Sequence, residues 1–358
     1  MATIGIDARG AADEPAGRGR TGRELLRALS ARGDDHRYIL YARRRWDEIE
    51  LDERFVWRLD TAPDVAWHWR AARAAGRECD VLLSSDSYLT TWFTRLPAVP
   101  IVYDLITFQP AFRPQRRASL IERATLPLAV RRAAKLICIS QATADDLVAR
   151  FPREADKAVV APLGVSPALT GGELPDGLQP DGYVLAVGTL EPRKNLPRLV
   201  AAYARTDADI PLAVAGPTGW QTGETLAALD ELGDRCRVLG FVSDEQLAAL
   251  YRHCAVFAYP SLAEGFGLPV LEAMAAGAPV LTSDRSSLPE VAGDAAAYCD
   301  PTSVDAIAHA LDALLRDPAR REQLRERGPR RAATFSWEAF AARVLETLEQ
   351  AAAYPARR

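Results

Sequence analysis

The sequence predicts an α/β protein made of two doubly wound, Rossmann-like domains that face a central cleft. The chain has 358 residues, which is more than a single hydrophobic core usually fills. Short apolar runs alternate with amphipathic stretches from end to end, a pattern typical of a parallel sheet wound with helices. One segment rich in Gly and Pro, residues 171–182, interrupts this alternation, and we interpret it as the linker between the domains.

Each half of the chain supplies its own set of strands, which gives an N-terminal domain, 1–170, and a C-terminal domain, 183–335. In the first domain the predicted strands are Thr3–Asp7, Tyr38–Tyr41, Val81–Ser84, Ile101–Tyr103, Leu136–Ile139 and Ala158–Ala161. In the second they are Tyr183–Val187, Leu212–Ala215, Arg237–Leu239, Val256–Tyr259, Val280–Thr282 and Ala296–Cys299. Ligands of such sheets bind outside the carboxyl ends of the strands, so the cleft is the expected site.

Amphipathic stretches between these strands predict the helices. In the first half they include Thr21–Ala31 and Ala142–Phe151. In the second half they are Asn195–Arg205, Thr225–Leu232, Asp244–His253, Pro269–Ala276 and Val304–Arg316. The last segment, 336–358, contains one more helix, Ser336–Ala353, which begins with a Ser N-cap. We expect this helix to cross back and pack toward the N-terminal domain.

The composition is that of a globular enzyme. With 48% hydrophobic and 26% charged residues, the chain has enough apolar surface to offset its entropy, which excludes disorder. No uncharged apolar stretch approaches the roughly 18 residues of a spanning helix. The N-terminus lacks a basic region and an apolar signal core, so we expect a cytoplasmic protein. Five cysteines without close pairs and four scattered histidines indicate neither a disulfide framework nor a metal site.

The charge is divided unevenly along the chain. Residues 1–170 carry 26 Lys and Arg against 22 Asp and Glu, a net charge of +4, whereas the remaining residues carry 18 against 26, a net charge of −8. A basic half joined to an acidic half indicates two modules with different partners. We expect no nucleic-acid partner.

A glycine motif near the N-terminus, Gly17–Gly22, matches the G-x-G-x-x-G pattern of dinucleotide-binding proteins. That fingerprint must turn directly from the first strand into a helix. Here nine residues separate the end of the strand at Asp7 from Gly17, so a nicotinamide-dependent oxidoreductase is a poor interpretation. Gly17 and Gly19 still predict a loop whose backbone N–H groups cradle an anion or a sugar. The alternative is a flexible loop that leads into a helix.

The most informative stretch runs from Glu264 to Val280. Gly265 and Gly267 leave the backbone open to a ligand, and the helix that follows points its N-terminus at the cleft. Glu272, on the first turns of that helix, can accept two hydrogen bonds from a vicinal diol such as a ribose. Taken alone, Glu272 is better explained as a glutamate that stabilises the helix dipole.

The context of these residues resembles a known signature. Two glutamates eight residues apart around Gly-Phe-Gly-Leu-Pro, followed by Ala-x-x-x-Gly-x-Pro-Val, are similar to the motif of retaining glycosyltransferase family 4, whose members have the GT-B fold. Other segments that match the family are Gly188–Asn195, Gly240–Ser243, Ser286–Gly293, Ala161–Val165 and Ile139–Thr143. The resemblance covers essentially the whole chain and is closest to mannosyltransferase-like members of polysaccharide pathways.

The resemblance implies roles for individual residues. Arg193 and Lys194 should grip the donor diphosphate, Glu272 should bind the ribose, and Glu264 should lie against the donor sugar. The implied catalytic residues are Glu264, Arg193, Lys194, Tyr103 and Asp104. The implied donor-binding residues are Gly188, Arg193, Lys194, Val242, Glu264, Gly265, Phe266, Gly267, Leu268 and Glu272. Gly17 and Gly19 belong to the acceptor or phosphate loop. A solvated helix start is the alternative for Arg193 and Lys194.

Two positions depart from the family pattern. Tyr103-Asp104-Leu105 stands where many relatives have His-Asp-Leu, and tyrosine cannot act as a cation near neutral pH. Thr21 replaces the aromatic residue that follows the glycine loop. Roles that depend on the histidine therefore do not transfer, and the acceptor-side contact is altered.

The implied reaction is the retaining, metal-independent transfer of a hexose from a nucleoside diphosphate sugar to a hydroxyl acceptor, in polysaccharide, glycolipid or glycosylated metabolite synthesis. GDP-mannose is the first expected donor, and no cofactor is expected. Asp207-Ala-Asp209 matches the D-x-D of metal-dependent transferases, but it lies in a turn before a strand, away from the expected site. The alternatives are a UDP-hexose donor, a non-catalytic donor-binding partner, and a GT-B epimerase or phosphorylase.

Residues 113–135 form a basic and partly apolar segment. It carries seven positive residues and one negative residue, Glu122. Such a segment favours peripheral attachment to an anionic membrane surface, where a lipid-linked acceptor would reside. The alternative is a solvated helix that packs its apolar face on the sheet. Pro127 is expected to kink or interrupt this helix.

Overall fold

The computed structural model describes residues 1–358 except 15–16, 49, 110–115, 167–170, 218, 220–222 and 355–358. The chain divides into two compact units. Met1–Gly164 and Ser336–Arg358 form the first unit, and Val165–Phe335 forms the second. The final segment therefore belongs to the same unit as the N-terminal half of the chain.

The first unit is built on a seven-stranded parallel sheet with the strand order β3-β2-β1-β4-β5-β6-β7. The strands are β1 (Thr3–Asp7), β2 (Arg37–Ala42), β3 (Phe55–Leu59), β4 (Val81–Ser84), β5 (Ala98–Val102), β6 (Leu136–Cys138) and β7 (Ala158–Val160). The helices are α1 (Arg9–Asp13), α2 (Arg18–Arg32), α3 (Asp64–Glu78), α4 (Tyr88–Phe93), α5 (Arg116–Arg132) and α6 (Gln141–Arg150). The central strands are buried on both faces, so they are almost continuous apolar runs.

The second unit contains a six-stranded parallel sheet with the order β10-β9-β8-β11-β12-β13. The strands are β8 (Val184–Val187), β9 (Leu212–Ala215), β10 (Cys236–Gly240), β11 (Val256–Tyr259), β12 (Val280–Ser283) and β13 (Ala297–Cys299). The helices are α7 (Leu196–Ala204), α8 (Gly223–Glu231), α9 (Asp244–His253), α10 (Leu268–Ala275), α11 (Leu288–Ala292), α12 (Val304–Arg316) and α13 (Pro318–Ala332). The strand order reverses between β8 and β11, which makes their carboxyl ends the topological switch point.

The last helix, α14 (Trp337–Ala352), packs on α2, β4 and β5 of the first unit. The Ser336 hydroxyl caps it by accepting a hydrogen bond from the Ala339 N–H at 3.1 Å. Its buried face carries Phe340, Val344 and Leu348. An amphipathic helix of this kind is stable because its apolar face is buried against a partner.

The predicted α/β class with two parallel sheets is confirmed, and most strands lie where the apolar runs placed them. The edge strand β3 and the helices α3 and α13 were not predicted. β3 reads Phe-Val-Trp-Arg-Leu and exposes Leu59. An edge strand with a charged and an exposed residue lacks the continuous apolar run that marked the central strands.

The segment that was interpreted as a linker, 171–182, lies within the second unit, and the structure divides the chain between Gly164 and Val165. Leu178 is buried, and the Asp181 N–H donates to the carbonyl of His253 at 2.8 Å. This backbone hydrogen bond, the buried Leu178 side chain and the ion pair of Asp181 with Arg325 attach the Gly- and Pro-rich stretch to the body of the second unit.

Of the two expected effects of Pro127, a kink or an interruption, the structure excludes the interruption, because α5 continues through the proline from Arg116 to Arg132. Leu126, Ala129 and Val130 are fully buried on both sides of the proline. The packing of these side chains offsets the loss of one backbone hydrogen-bond donor.

The glycine motif forms the start of a helix rather than a loop, which corrects the expected local structure. Gly17 is the N-cap of α2, with φ of 58°, and Gly19 lies within the first turn. A Cβ at Gly19 would lie 2.0 Å from the Glu14 carbonyl oxygen and 2.7 Å from that of Gly10. Gly19 is therefore required for close contact between the chain before α2 and the helix itself.

This packing predicts opposite effects for two glycine substitutions. Gly19→Ala should destabilise the protein by about 1–3 kcal/mol, because the methyl group would overlap backbone atoms. Gly76→Ala in α3 should stabilise it by up to about 1 kcal/mol, because a Cβ at Gly76 meets no atom within 4 Å and alanine favours the helix. Thermal unfolding of both variants checks the pair, and an unchanged melting temperature for Gly19→Ala would contradict the packing role.

Candidate active site

Two glycine turns lie against each other at the carboxyl edge of the second sheet, beside its switch point. Gly188 follows β8 with φ of 137°, and Gly216 follows β9 with φ of 143°. A Cβ at Gly216 would lie 2.1 Å from the Gly188 carbonyl oxygen, so only glycine permits this approach. A small pocket opens here, lined by Gly188, Thr189, Lys194 and Tyr259 and by apolar side chains from β8, β9 and α7.

A tight turn brings two cations to the same edge. Pro192–Lys194 forms a single 3₁₀ turn, and Asn195 follows it in the left-handed conformation, with φ of 63°. The fully buried Asn195 amide donates to the carbonyls of Pro260 at 2.9 Å and Pro301 at 2.7 Å. Asparagine suits this position because it tolerates positive φ and supplies two side-chain donors.

The side chain of Glu264 lies at the centre of this site. Its Oε2 accepts a hydrogen bond from the Arg193 guanidinium at 2.5 Å. Its Oε1 accepts from the Lys194 ammonium at 2.7 Å, from the Tyr259 hydroxyl at 2.8 Å and from the Ser261 hydroxyl at 2.7 Å. Lys194 also donates to the Tyr259 hydroxyl, and Arg193 pairs with Glu191 at 2.6 Å. Four donors thus converge on one buried carboxylate.

These contacts shift the pKa values of the three titratable partners. Burial alone would raise the pKa of Glu264, but Lys194, Arg193 and the hydrogen bonds outweigh it and lower that pKa to about 2. Burial lowers the pKa of Lys194, against the opposing effect of Glu264. Burial raises the pKa of Tyr259 well above its usual value, so its hydroxyl stays protonated. The site holds an anion between two cations at neutral pH.

The alternative reading of Arg193 and Lys194 as a solvated helix start is wrong. The Lys194 side chain is 13% exposed and the Arg193 side chain 25%, and both pair with Glu264. The sequence analysis did not identify Tyr259 and Ser261. The signal that could have found them is the run Tyr259-Pro260-Ser261, in which one hydroxyl residue ends a buried strand and a second lies three residues before Glu264.

The chain after Glu264 turns sharply into α10. Gly267 is the N-cap, with φ of 103°, and a Cβ there would lie 2.6 Å from the Leu288 side chain. The Ser287 hydroxyl donates to the backbone carbonyls of Glu264 at 3.0 Å and Phe266 at 2.8 Å. These bonds fix the Glu264–Leu268 turn at the amino end of α10.

The other predicted donor-binding residues of the second unit lie on nearby elements. Glu272 is half-buried on α10, and Gly265 is half-buried in the turn before it. Val242 lies between the end of β10 and Ser243, whose hydroxyl caps α9. Phe241, beside Val242, exposes 81% of its surface.

In the first unit, the structure places Tyr103 and Arg18 together. The Tyr103 hydroxyl donates to the Ser85 carbonyl at 2.8 Å, and the Arg18 guanidinium lies 5.2 Å from the centre of its ring. Burial raises the pKa of Tyr103, so its hydroxyl is neutral. Asp104 accepts a hydrogen bond from the Ile106 N–H at 3.0 Å, which shapes the turn after β5. Arg18 directly follows Gly17 in the sequence, so an arginine of the glycine motif contacts the ring of Tyr103.

The D-x-D sequence lies on the surface, as predicted. Asp207 and Asp209 are exposed in the turn before β9, and Asp207 pairs with Arg316 at 2.8 Å. Across the part of the chain that the structure describes, no three His, Cys, Asp or Glu side chains are grouped in a way that could hold a metal ion.

Comparison with known proteins identifies the family. A model described as Glycosyltransferase Family 4 matches residues 16–169, and one described as Glycosyl transferases group 1 matches residues 178–331. The O-antigen chain mannosyltransferase B of Escherichia coli is 39% identical over 258 residues, which are 67% of this chain and 67% of that protein. The chain belongs to glycosyltransferase family 4. It is a glycosyltransferase of the hexosyltransferase class, as the motifs predicted.

Further comparisons extend the similarity. The MMP alpha-(1->4)-mannosyltransferase of Mycolicibacterium hassiacum is 34% identical over 61% of this chain and 54% of that protein. The structure of HepE from Anabaena, in complex with UDP and glucose, matches with a TM-score of 0.77 over 98% of this chain and 100% of that chain. Its sequence identity is 17%, so this likeness shows the GT-B fold alone.

The pKa of Glu264 leads to a prediction about acid stability. Glu264→Gln should lower the free energy of unfolding by about 3 kcal/mol near neutral pH, because it removes the charge that pairs with Lys194 and leaves Arg193 with Glu191 as its paired carboxylate. Because the pKa is lowered from 4.5 to about 2 in the folded protein, this contribution is present above pH 4.5 and is lost as the pH falls toward 2. Urea unfolding at several pH values should show the difference from the unmodified protein narrowing below pH 4.5.

The exposed Glu326 on α13 provides the control for this measurement. Glu326→Gln should track the unmodified protein at every pH. A deficit of Glu264→Gln that stays constant across the acid range would contradict the charge pairing at the site.

Proposed function

We propose that this enzyme moves a mannosyl group from GDP-mannose to a hydroxyl acceptor, with retention of configuration and without a metal ion. The observation that carries the proposal is the pairing of Arg193 and Lys194 with Glu264 at the carboxyl ends of β8 and β11. Ligands of doubly wound sheets bind at this point, and two cations there match a diphosphate. The acceptor belongs to polysaccharide, glycolipid or glycosylated metabolite synthesis.

In this proposal, Arg193 and Lys194 stabilise the leaving diphosphate. Negative charge develops on the phosphate oxygens as the glycosidic bond breaks, and fixed cations in a water-poor site stabilise that charge strongly. The lowered pKa of Lys194 is still consistent with a cation, because Glu264 and the diphosphate both favour the charged form. The two side chains supply the charge that a metal ion supplies in other transferases, which supports metal independence.

The remaining donor contacts follow the order of the elements along the sheet edge. Glu272 binds the ribose hydroxyls, Val242 lies at the base, and the Gly265–Leu268 turn offers backbone N–H groups to the sugar and phosphates. Glu272 supports this arrangement, because it is half-buried on α10, the helix that follows Glu264 in the chain.

The hydrogen bonds of Glu264 support a retaining reaction without a protein nucleophile. Both carboxylate oxygens already accept hydrogen bonds from cations, which reduces their nucleophilicity. Glu264 then positions the donor sugar and the two cations, while the acceptor hydroxyl attacks from the face of the leaving group. Catalysis is mainly positioning and charge stabilisation.

The names of the relatives support mannose as the transferred sugar. The two relatives described above are an O-antigen chain mannosyltransferase and an alpha-(1->4)-mannosyltransferase. A UDP-hexose is the second candidate donor, because the structurally similar HepE was solved with UDP and glucose.

A panel of nucleotide sugars tests the donor. The purified protein is incubated with GDP-mannose, UDP-glucose and UDP-galactose, with mannosides as acceptors, and the released nucleotide is quantified. Proton NMR of the product then gives the anomeric configuration. Release of GDP with formation of an α-mannoside supports the proposal. An inverted product or the absence of transfer from every donor would contradict it.

Lys194→Ala should lower kcat/KM by about a hundredfold, because it removes a charge that stabilises the transition state. Lys157→Ala is the control, since Lys157 lies in the first unit and donates to backbone carbonyls. The unmodified enzyme should keep its activity in EDTA. Equal kcat/KM for the two variants would argue against the diphosphate role, and a strict need for Mg²⁺ or Mn²⁺ against metal independence.

We further propose that α5 attaches the enzyme to an anionic membrane surface that carries a lipid-linked acceptor. Leu126 and Val130 pack into the core, whereas Leu120 and Ile121 are 64% and 56% exposed. Exposed arginines accompany them at Arg123, Arg131 and Arg132. Arg113, also part of the predicted basic segment, lies outside the described residues. Within those residues, no helix is long and apolar enough to cross a bilayer. The attachment proposed for α5 is peripheral.

Co-sedimentation with vesicles tests this attachment. The protein should pellet with anionic vesicles at low salt, and about 0.5 M salt should release it, because each basic residue near the surface contributes only about 1 kcal/mol. A Leu120→Ser, Ile121→Ser variant should bind less, whereas Leu226→Ser, at an exposed position of α8, should bind normally. Equal pelleting with neutral vesicles would leave a soluble acceptor as the better interpretation.

A further inference from the structure

The hydrogen bonds of Glu264 create a conflict that the donor must resolve. In the structure, Arg193 and Lys194 both donate hydrogen bonds to this carboxylate. In the proposed function the same two cations bind the donor diphosphate. Glu264 then competes with the diphosphate for hydrogen bonds from Arg193 and Lys194.

A buried carboxylate responds to such a loss in one of two ways. Glu264 is 8% exposed, so water cannot replace the lost partners. An unpaired charge at this depth costs several kcal/mol. Either the carboxylate takes up a proton, or other hydrogen-bond donors hold it as an anion.

Two hydroxyl groups are placed to hold it. Tyr259 is the last residue of β11, its ring stacks on Phe257 at 5.6 Å, and its backbone carbonyl accepts from Thr282. Because Lys194 donates to the Tyr259 oxygen, the single hydroxyl proton of Tyr259 is directed to Glu264. The fully buried Ser261 has its shortest hydroxyl contact, 2.7 Å, with the same Oε1. Both donors are neutral, so a diphosphate has less attraction for them than for the cations.

The surroundings of the carboxylate contain no further neutral donor among the described contacts. Arg193 and Lys194 approach it from the 3₁₀ turn, with Glu191 beyond Arg193 and Tyr251 near Tyr259. From the α11 side, the hydroxyls of Ser286 and Ser287 bond to the Glu264 backbone rather than its carboxylate. The task of holding the anion therefore falls on Tyr259 and Ser261.

We propose that the hydroxyls of Tyr259 and Ser261 are positioning groups that keep Glu264 ionised when Arg193 and Lys194 turn to the diphosphate of the donor. This inference rests on the proposed donor site. An ionised Glu264 keeps the two cations charged and in place after the diphosphate arrives. A protonated Glu264 would orient neither cation.

Proton uptake during nucleotide binding tests this role. GDP and UDP are titrated into the protein by calorimetry in buffers of different ionisation enthalpy, at about pH 6.5. The unmodified protein should take up no proton beyond those exchanged by the nucleotide itself. Tyr259→Phe and Ser261→Ala should each bind the nucleotide about tenfold more weakly and take up an additional fraction of a proton. Their Kd should also rise with pH, because binding then requires the protonated carboxyl group.

Ser287→Ala is the matched control, since it removes a buried hydroxyl that touches the backbone of Glu264. It should keep the proton count of the unmodified protein even if it lowers stability. Extra uptake in Ser287→Ala would indicate general loosening and overturn the inference. The inference would also be overturned if Tyr259→Phe and Ser261→Ala took up the same number of protons as the unmodified protein and bound the nucleotide with the same affinity. If neither GDP nor UDP binds the unmodified protein, the proposed donor site itself fails, which is a separate outcome.

Discussion

A buried carboxylate shared by two cations organises the second unit of this enzyme. Glu264 ties the turn after β8 to the chain after β11, which are the two strands at which the sheet order reverses. Neither charge is stable alone at this depth, because each would lose its hydration without compensation. In the proposed function, the same electrostatic requirement makes the site receptive to a diphosphate, which offers the cations an alternative anion.

The first unit also concentrates charge at the carboxyl edge of its sheet, but there two carboxylates, Asp7 and Asp86, lie near one arginine, Arg9. Asp7 is fully buried at the end of β1, and burial together with Asp86 raises its pKa to about 7. Arg9 pairs with Asp86 at 2.7 Å, and the Thr90 hydroxyl donates to Asp7 at 2.7 Å. Both sheets therefore place their polar groups where strands end and helices begin, since backbone N–H groups are free there and side chains from several strands meet.

Much of the site was accessible from sequence, and the failures have physical causes. Arg193, Lys194 and Glu264 were identified because the short motifs that contain them resemble those of the family, and these motifs lie in turns after buried strands. Tyr259 was taken only as the end of a strand, because its part in the site depends on Lys194, which lies 65 residues away. The glycine motif was predicted as a loop, because the motif itself does not show that Gly19 packs against the carbonyl groups of Gly10 and Glu14.

The sequence by itself determined the class of fold, the two parallel sheets, the turns that carry the charged residues and the family. Those features depend on local periodicity, on glycine and proline placement and on short motifs, all of which are written within a few residues. Tertiary structure decided which polar groups pair with which. The four donors on Glu264 come from two stretches of the chain, 193–194 and 259–261, and the two cations among them lie about 70 residues before it in the sequence. Whether a carboxylate is solvated, paired or neutral depends on its burial and on such partners.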